Sequence, residues 1–180
     1  MNRLFICILL SSVLLSACSV TRFVGYYVSS GDGGSGTLSG DVYKTEDTSY
    51  RIGSLPSGWE RQNVKGGDLV FQNASLNATI SVNSDCDGKK VNHHLTVLSD
   101  SLLIGISAKK LISREEAIVD GQGALYSIYE GSFEGVPIKI ATLIFKKGSC
   151  IYDFTYASSP DSFEAGYVEF RAFTSQFRVL

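Results

Sequence analysis

Two adjacent histidines, His93 and His94, are the side chains best suited to bind a metal ion or to act as a general base, and the chain has no others. Neighbouring residues on a helix point about 100° apart, so this pair cannot easily chelate one ion from a regular helix. A zinc site would need histidines four positions apart, or cysteine thiolates brought close. We therefore expect both imidazoles at a solvated helix start, and we predict no metal site.

The segment Asp85-Cys86-Asp87-Gly88 is similar to the opening of a calcium-binding loop. Such a loop ends on a bidentate glutamate at its twelfth position, and that position here is Thr96. We therefore interpret the segment as a polar turn.

Three further carboxylates, Glu115, Glu116 and Asp120, lie on or beside a predicted strand. A pair of carboxylates can hydrolyse a glycosidic bond, but adjacent residues on a strand point to opposite faces. No G-x-S-x-G motif is present, and the glycine-rich segments lack the lysine of a phosphate-binding loop. We predict no catalytic residues and no cofactor, and we expect that the protein is not an enzyme.

The composition describes a globular chain rich in turns, with 44% hydrophobic residues, 18 glycines and only 3 prolines. Lys and Arg number 16 against 18 Asp and Glu, which gives a formal net charge of -2. Because no basic block is present, the electrostatic basis for binding nucleic acid is missing, and we predict no nucleic-acid partner.

The N-terminus has the pattern of a bacterial export signal. Arg3 precedes an apolar run over residues 4–15 that is too short to span a bilayer stably. The run ends in Leu15-Ser16-Ala17-Cys18, which resembles the lipobox of bacterial lipoproteins. Small residues at positions 16 and 17 fit the signal peptidase, and the Cys18 thiol is the nucleophile that takes the diacylglycerol. The alternative is a plain secretory signal whose cleavage site happens to precede a cysteine.

The lipobox resemblance implies that residues 1–17 are removed as a signal peptide and that Cys18 becomes the lipidated N-terminus. Several acyl chains would make anchoring effectively permanent. The next residue is Ser19, whereas aspartate there would favour retention in the inner membrane. We therefore expect a lipid anchor in the bacterial cell envelope, with the outer membrane, facing the periplasm, as the favoured location.

Two cysteines, Cys86 and Cys150, remain in the mature chain after Cys7 is removed and Cys18 is lipidated. An even pair in a folded domain of the oxidising periplasm indicates a disulfide. Closing the long loop between them would contribute about 4 kcal/mol on the chain-entropy model. The alternative is a pair of separate buried thiols.

The chain divides into a tether and one domain. Residues 18–47 are predicted to be the lipidated N-terminus followed by a flexible linker, because residues 29–40 are rich in glycine and serine. Residues 48–180 are predicted to form a single domain. Its expected elements are a hairpin (68–72 and 78–83), a helix (92–107), strands (115–119, 124–131, 137–146 and 149–157) and a final helix with an inward aromatic stripe.

This order of elements resembles the PsbP-like α/β/α sandwich, a superfamily that includes the DcrB-type bacterial lipoproteins. The resemblance covers about residues 50–177 and depends on four features: Leu55-Pro56-Ser57-Gly58-Trp59, Asp68-Leu69-Val70-Phe71, Gly121-Gln122-Gly123-Ala124 and the phenylalanine-rich final helix. It implies an α+β fold with an antiparallel sheet flanked by helices. Members are generally non-enzymatic proteins that bind or stabilise larger assemblies.

Together these observations predict a membrane-anchored lipoprotein that serves as a non-enzymatic binding or accessory module of the cell envelope, with an envelope protein as partner. The alternative is an envelope hydrolase whose site is not recognisable from sequence. The resemblance assigns no site residue, and the oligomeric state stays open.

Overall fold

The computed structural model of the protein describes residues 36–64 and 69–180. The predicted signal peptide, Cys18 and residues 19–35 of the predicted linker lie outside the described residues. In chain order the elements are β1 (Thr37–Ser39), β2 (Val42–Lys44), β3 (Ser49–Arg51), β4 (Trp59–Gln62), β5 (Leu69–Asn73), β6 (Ala78–Asp85), α1 (Leu95–Ser101), β7 (Ser107–Val119), β8 (Gln122–Phe133), β9 (Val136–Lys147), β10 (Cys150–Ser158), a 3-10 turn (Pro160–Ser162), α2 (Phe163–Ser175) and β11 (Arg178–Val179).

The main sheet has seven strands in the order β4-β5-β6-β10-β9-β8-β7, and every neighbouring pair is antiparallel. The predicted hairpin is confirmed as β5 and β6, and β7 to β10 form a meander of long strands. The expected antiparallel sheet flanked by helices is therefore confirmed.

No helix among the described residues is long and apolar enough to cross a membrane.

Helix α2 covers one face of the sheet, which we call the α2 face. Aromatic residues alternate on β10, so that Tyr152, Phe154 and Tyr156 all point to this face and are buried. They meet fully buried phenylalanines on α2, which include Phe163 and Phe170. Burying one such ring contributes about 1.5–3 kcal/mol, so the predicted inward stripe forms the principal core.

Close packing between α2 and β10 depends on Gly166. A Cβ atom at this position would lie 2.4 Å from the hydroxyl oxygen of Tyr156. That hydroxyl donates a hydrogen bond to the carbonyl of Phe163 at 3.0 Å, one turn earlier on the helix. The absence of a side chain at Gly166 therefore lets the helix lie directly on the tyrosine.

A second, four-stranded sheet in the order β1-β2-β3-β11 closes the end of the α2-face core. Tyr43 on β2 and Tyr50 on β3 are buried, and the Tyr50 ring lies 4.9 Å from that of Phe177. Strands β1 and β2 fall in the segment predicted to be flexible linker. The predicted boundary at Thr48 is therefore too late, because the two tyrosines supply enough buried surface to order these short strands.

Helix α1 covers the opposite face, which we call the α1 face, and it is much shorter than predicted. It contains residues 95–101, whereas the leucine spacing predicted a helix over 92–107. Gly105 and Ala108 both have positive φ, 83° and 50°, which no α-helix accommodates. The chain therefore leaves the helix, and β7 begins at Ser107.

The predicted disulfide is present between Cys86 and Cys150, whose Cα atoms are 4.0 Å apart. Cys86 follows β6 and Cys150 begins β10, and the register pairs their neighbours Asp85 and Ile151. The bond therefore joins two adjacent strands at one end of the main sheet.

Candidate functional site

Large apolar side chains are exposed along β7 and around α1. On β7 these are Leu111, Ile112 and Ile118, the last with 74% of its surface exposed. Val97 on α1 and Ile104 just after it are 53% and 57% exposed. Exposed apolar side chains can take part in binding, and of these residues Ile118 lines the cleft described next.

An open cleft of about 550 Å³ lies where the start of α1 meets the β7–β8 hairpin. Its apolar wall comes from Leu95, Ile118 and Leu125. Its polar lining residues include His94 and Glu116. The cleft is therefore largely apolar, with a few polar groups.

A polar network fixes α1 over the sheet. The Arg114 guanidinium donates hydrogen bonds to the Asp100 carboxylate at 2.6 Å, to the Tyr129 hydroxyl at 2.7 Å and to the Ser127 hydroxyl at 3.1 Å. The Tyr129 hydroxyl in turn donates to Asp100 at 2.7 Å. Burial by itself lowers the pKa of Arg114, but the hydrogen bonds with Tyr129 and Asp100 outweigh that effect and raise it.

The buried hydroxyl of Ser99 extends the network beneath the helix. It lies 2.9 Å from the Thr142 hydroxyl and 3.2 Å from those of Ser127 and Tyr129. A helix of only seven residues is marginal by itself, so these bonds hold it in place. The hydroxyls and charges here bind one another, and we interpret the network as structural support for the neighbouring cleft.

The two histidines occupy different positions. His94 lines the cleft, while the backbone carbonyl of His93 accepts a hydrogen bond from Lys146 Nζ. Among the residues that the structure describes, no group of three or more His, Cys, Asp or Glu could hold a metal ion.

The polar turn after β6 is neutralised by its own lysines. Lys90 Nζ lies 2.8 Å from an Asp85 carboxylate oxygen, and Lys89 Nζ lies 3.2 Å from one of Asp87. The hydrogen bond from the Lys89 backbone amide, assisted by its side chain, lowers the pKa of Asp87. The structure therefore matches the interpretation of this segment as a turn.

The three carboxylates near the end of β7 do not converge. Glu115 points to the α2 face and pairs with Arg171, whereas Glu116 lines the cleft on the other side. Asp120 lies in the turn after β7 and accepts hydrogen bonds from Lys147 Nζ at 2.6 Å and from the Val179 amide at 3.0 Å.

Burial by itself raises the pKa of the Asp120 carboxyl. The hydrogen bonds from Lys147 and Val179, with the positive charges of Lys147 and Arg178, outweigh burial and lower that pKa below its usual value. Asp120 therefore stabilises the fold as a carboxylate.

Sequence reasoning found neither the cleft nor the network around Arg114. The sequence indicates His94 and Glu116 as unrelated candidates, and they line one cleft only because α1 packs on the hairpin. Arg114 and Asp100 are 14 residues apart on different elements, and no local pattern links them.

The architecture is a sandwich in which an antiparallel sheet has one helix on each face. No model of a protein family matches the chain, and no curated protein matches its sequence. Solved structures do match. The solution structure of the cyanobacterial PsbP protein, CyanoP, from Synechocystis is similar with a TM-score of 0.58 and 19% identity, over 76% of this chain and 89% of that one.

LpqN of Mycobacterium tuberculosis, described as involved in cell envelope biogenesis, is similar with a TM-score of 0.58 and 16% identity, over 74% of this chain and 86% of that one. The protein therefore has the PsbP-like fold, as the resemblance of its elements predicted. At these identities the likeness concerns the fold alone.

Proposed function

We propose that this protein is a lipid-anchored, non-enzymatic binding module of the bacterial cell envelope. The anchor is the Cys18 thiol in Leu15-Ser16-Ala17-Cys18, and Ser19 favours the outer membrane. The domain then faces the periplasm, where the disulfide between Cys86 and Cys150 is stable.

The open apolar cleft beside α1 is the main support for the proposed binding role. Its wall includes Ile118, whose side chain is 74% exposed, and the exposed Val97 lies on the same helix as Leu95. A largely apolar recess with a few polar groups is the usual form of a binding site. We propose that an apolar side chain or segment of an envelope protein fills it.

The polar groups near the cleft support binding more than catalysis. Arg114, Asp100 and Tyr129 bind one another, and Ser99 is fully buried beneath the helix. They hold the cleft wall in place, and preorganised walls lower the entropy that a partner must lose on binding. The structural relative LpqN, described as involved in cell envelope biogenesis, supports the proposed compartment.

The test is photo-crosslinking in intact cells with the full-length protein. A photoreactive amino acid replaces Thr96 on the cleft wall and, as a matched control, Val168, which is 69% exposed on α2. We expect one discrete adduct with another envelope protein from position 96 and none from position 168.

A second substitution, Ile118→Asp, should reduce that adduct several-fold because a carboxylate replaces part of the apolar wall. Equal adducts from both positions, or an adduct that Ile118→Asp leaves unchanged, would contradict the proposed cleft.

A further inference from the structure

Strand β7 forms one edge of the main sheet and is 13 residues long. Within residues 36–64 and 69–180, no strand pairs with its outer side. Its residues are mostly exposed, including Leu111 and Ile112 at its centre. An exposed edge of this length presents a row of backbone donors and acceptors that another strand can pair with.

The sequence of β7 is complementary to itself in the antiparallel direction. Lys109 and Lys110 precede the apolar pair Leu111-Ile112, and Glu115 and Glu116 follow it. If a second copy is placed antiparallel with Lys110 opposite the second copy's Glu115, then Lys109 lies opposite its Glu116. Two-fold symmetry repeats both pairs, and all four join opposite charges.

This register also requires that paired residues point to the same face of the sheet. Lys110 lies opposite Glu130, and Glu115 lies opposite Tyr126, both on the α2 face of β8. On a regular strand, residues five positions apart point to opposite faces. The register shift between Leu111 and Ser113 is the irregularity that brings Lys110 and Glu115 to the same face.

Neighbouring registers bring fewer opposite charges together. A shift of one residue in one direction places Lys110 opposite the second copy's Glu116 but leaves Lys109 opposite Ala117. The same shift in the other direction places Lys110 opposite Arg114, which joins like charges. Edge lysines and bulges alone can simply prevent pairing. Here the matched glutamates and the bulge favour one register in particular.

We propose that β7 of one copy pairs antiparallel with β7 of a second copy, Lys109 opposite Glu116 and Lys110 opposite Glu115, so that the main sheet continues through a two-fold dimer. Leu111 and Ile112 then lie at the two-fold axis, where the second strand covers them. The pairing uses the outer backbone edge of β7, whereas the cleft is lined by side chains of both β7 and α1, and Glu116 belongs to both. Lys109 is not among the residues that line the cleft, so Lys109→Glu tests the pairing without changing the cleft wall.

The first test is disulfide trapping of the full-length protein in intact cells. Lys109→Cys and Glu116→Cys are introduced together, with each single variant as its own control. Opposed residues on antiparallel strands have Cβ atoms about 5 Å apart, within reach of a disulfide. In one chain the two positions are roughly 23 Å apart, so they cannot bond to each other.

We expect the double variant to form a reducible adduct of twice the monomer mass, and each single variant to stay monomeric. Dimers of equal yield in the single variants would overturn the proposed register. No dimer, or an adduct of another mass, would overturn the pairing itself.

A charge exchange tests the same pairing without a new covalent bond. Lys109→Glu and Glu116→Lys each turn two attractive pairs into repulsive ones and should weaken the dimer of the detergent-solubilised protein about tenfold or more. The double exchange restores opposite charges and should recover most of the affinity. Light scattering measures the dimer fraction. A monomeric unaltered protein, or single variants that dimerise as well as it does, would overturn the proposal.

Discussion

The carboxylate of Asp120 accepts a hydrogen bond from Lys147 Nζ at 2.6 Å, which joins the β7–β8 turn to the end of β9. The same carboxylate binds the amide of Val179 on β11, so one side chain connects both sheets at this end of the molecule. It is only 12% exposed, so solvent screens the ion pair with Lys147 only partly.

Asp120→Asn should lower the free energy of unfolding at pH 7 by about 1–3 kcal/mol, because the charge-assisted bonds weaken. Asp120 has φ of 51°, and asparagine tolerates that conformation, so the turn itself is retained. Urea unfolding followed by the fluorescence of Trp59, the single tryptophan, measures the change.

The same variant should change the response to acid. The pKa of Asp120 is lowered in the folded protein, so its stabilisation is present above the unfolded pKa of about 3.9 and is lost as the pH falls through the lower folded pKa. The difference between the parent protein and Asp120→Asn should therefore shrink below about pH 4. A difference that stays constant down to the lowest pH would contradict this role of the carboxylate.

The disulfide should stabilise the domain through the unfolded chain. Cys86→Ser and Cys150→Ser should each lower the free energy of unfolding by about 2–4 kcal/mol. The double variant should be no less stable than either single one, since all three changes remove the same bond. Additive losses in the double variant would show that the two thiols act separately.

Gly166→Ala should destabilise the protein, although alanine is the better helix former by about 0.5–1 kcal/mol. The added methyl group would lie 2.4 Å from the Tyr156 hydroxyl, so α2 must move or the hydroxyl must give up its bond to Phe163. We expect a net loss of about 1–3 kcal/mol. Gly123→Ala is the control, because no atom lies within 4 Å of its Cβ position, and it should change stability little.

Arg114→Leu should loosen α1 selectively. The change removes the guanidinium that donates to Asp100, Tyr129 and Ser127, at a cost of about 1–2 kcal/mol. Hydrogen exchange should therefore accelerate in residues 95–101 while α2 keeps its protection, because α2 packs on the opposite face. Equal acceleration in both helices would indicate that the network supports the whole domain instead of α1 alone.

The long strands and the aromatic helix were predictable because they bury a continuous apolar surface. In β10 the alternation of Tyr152, Phe154 and Tyr156 shows a strand directly, and the Phe163 and Phe170 spacing shows a helix. The disulfide was predictable because the predicted export signal and lipobox account for Cys7 and Cys18 and leave two cysteines.

The short strands, the length of α1 and the first half of β7 could not be predicted, because they depend on contacts between residues that are distant in sequence. Strands β1 to β3 have three residues each, too few for a periodic pattern, and Tyr43 orders them by packing on a core formed later in the chain. The spacing of Leu98 and Leu102 suits a longer helix, but the helix ends at Ser101, and the positive φ of Gly105 prevents its continuation. Strand β7 is mostly exposed, so its first half lacks the alternation of apolar and polar residues that indicates a half-buried strand.

The proposed lipid anchor is tested most directly by metabolic labelling with palmitate in cells that express either the full chain or Cys18→Ser. We predict that the full chain incorporates the label, is processed after residue 17 and fractionates with membranes. Cys18→Ser should remain an unlabelled, unprocessed precursor, since the thiol that receives the diacylglycerol is missing. Label that persists in Cys18→Ser, or a processed full chain that carries no label, would contradict the lipid anchor.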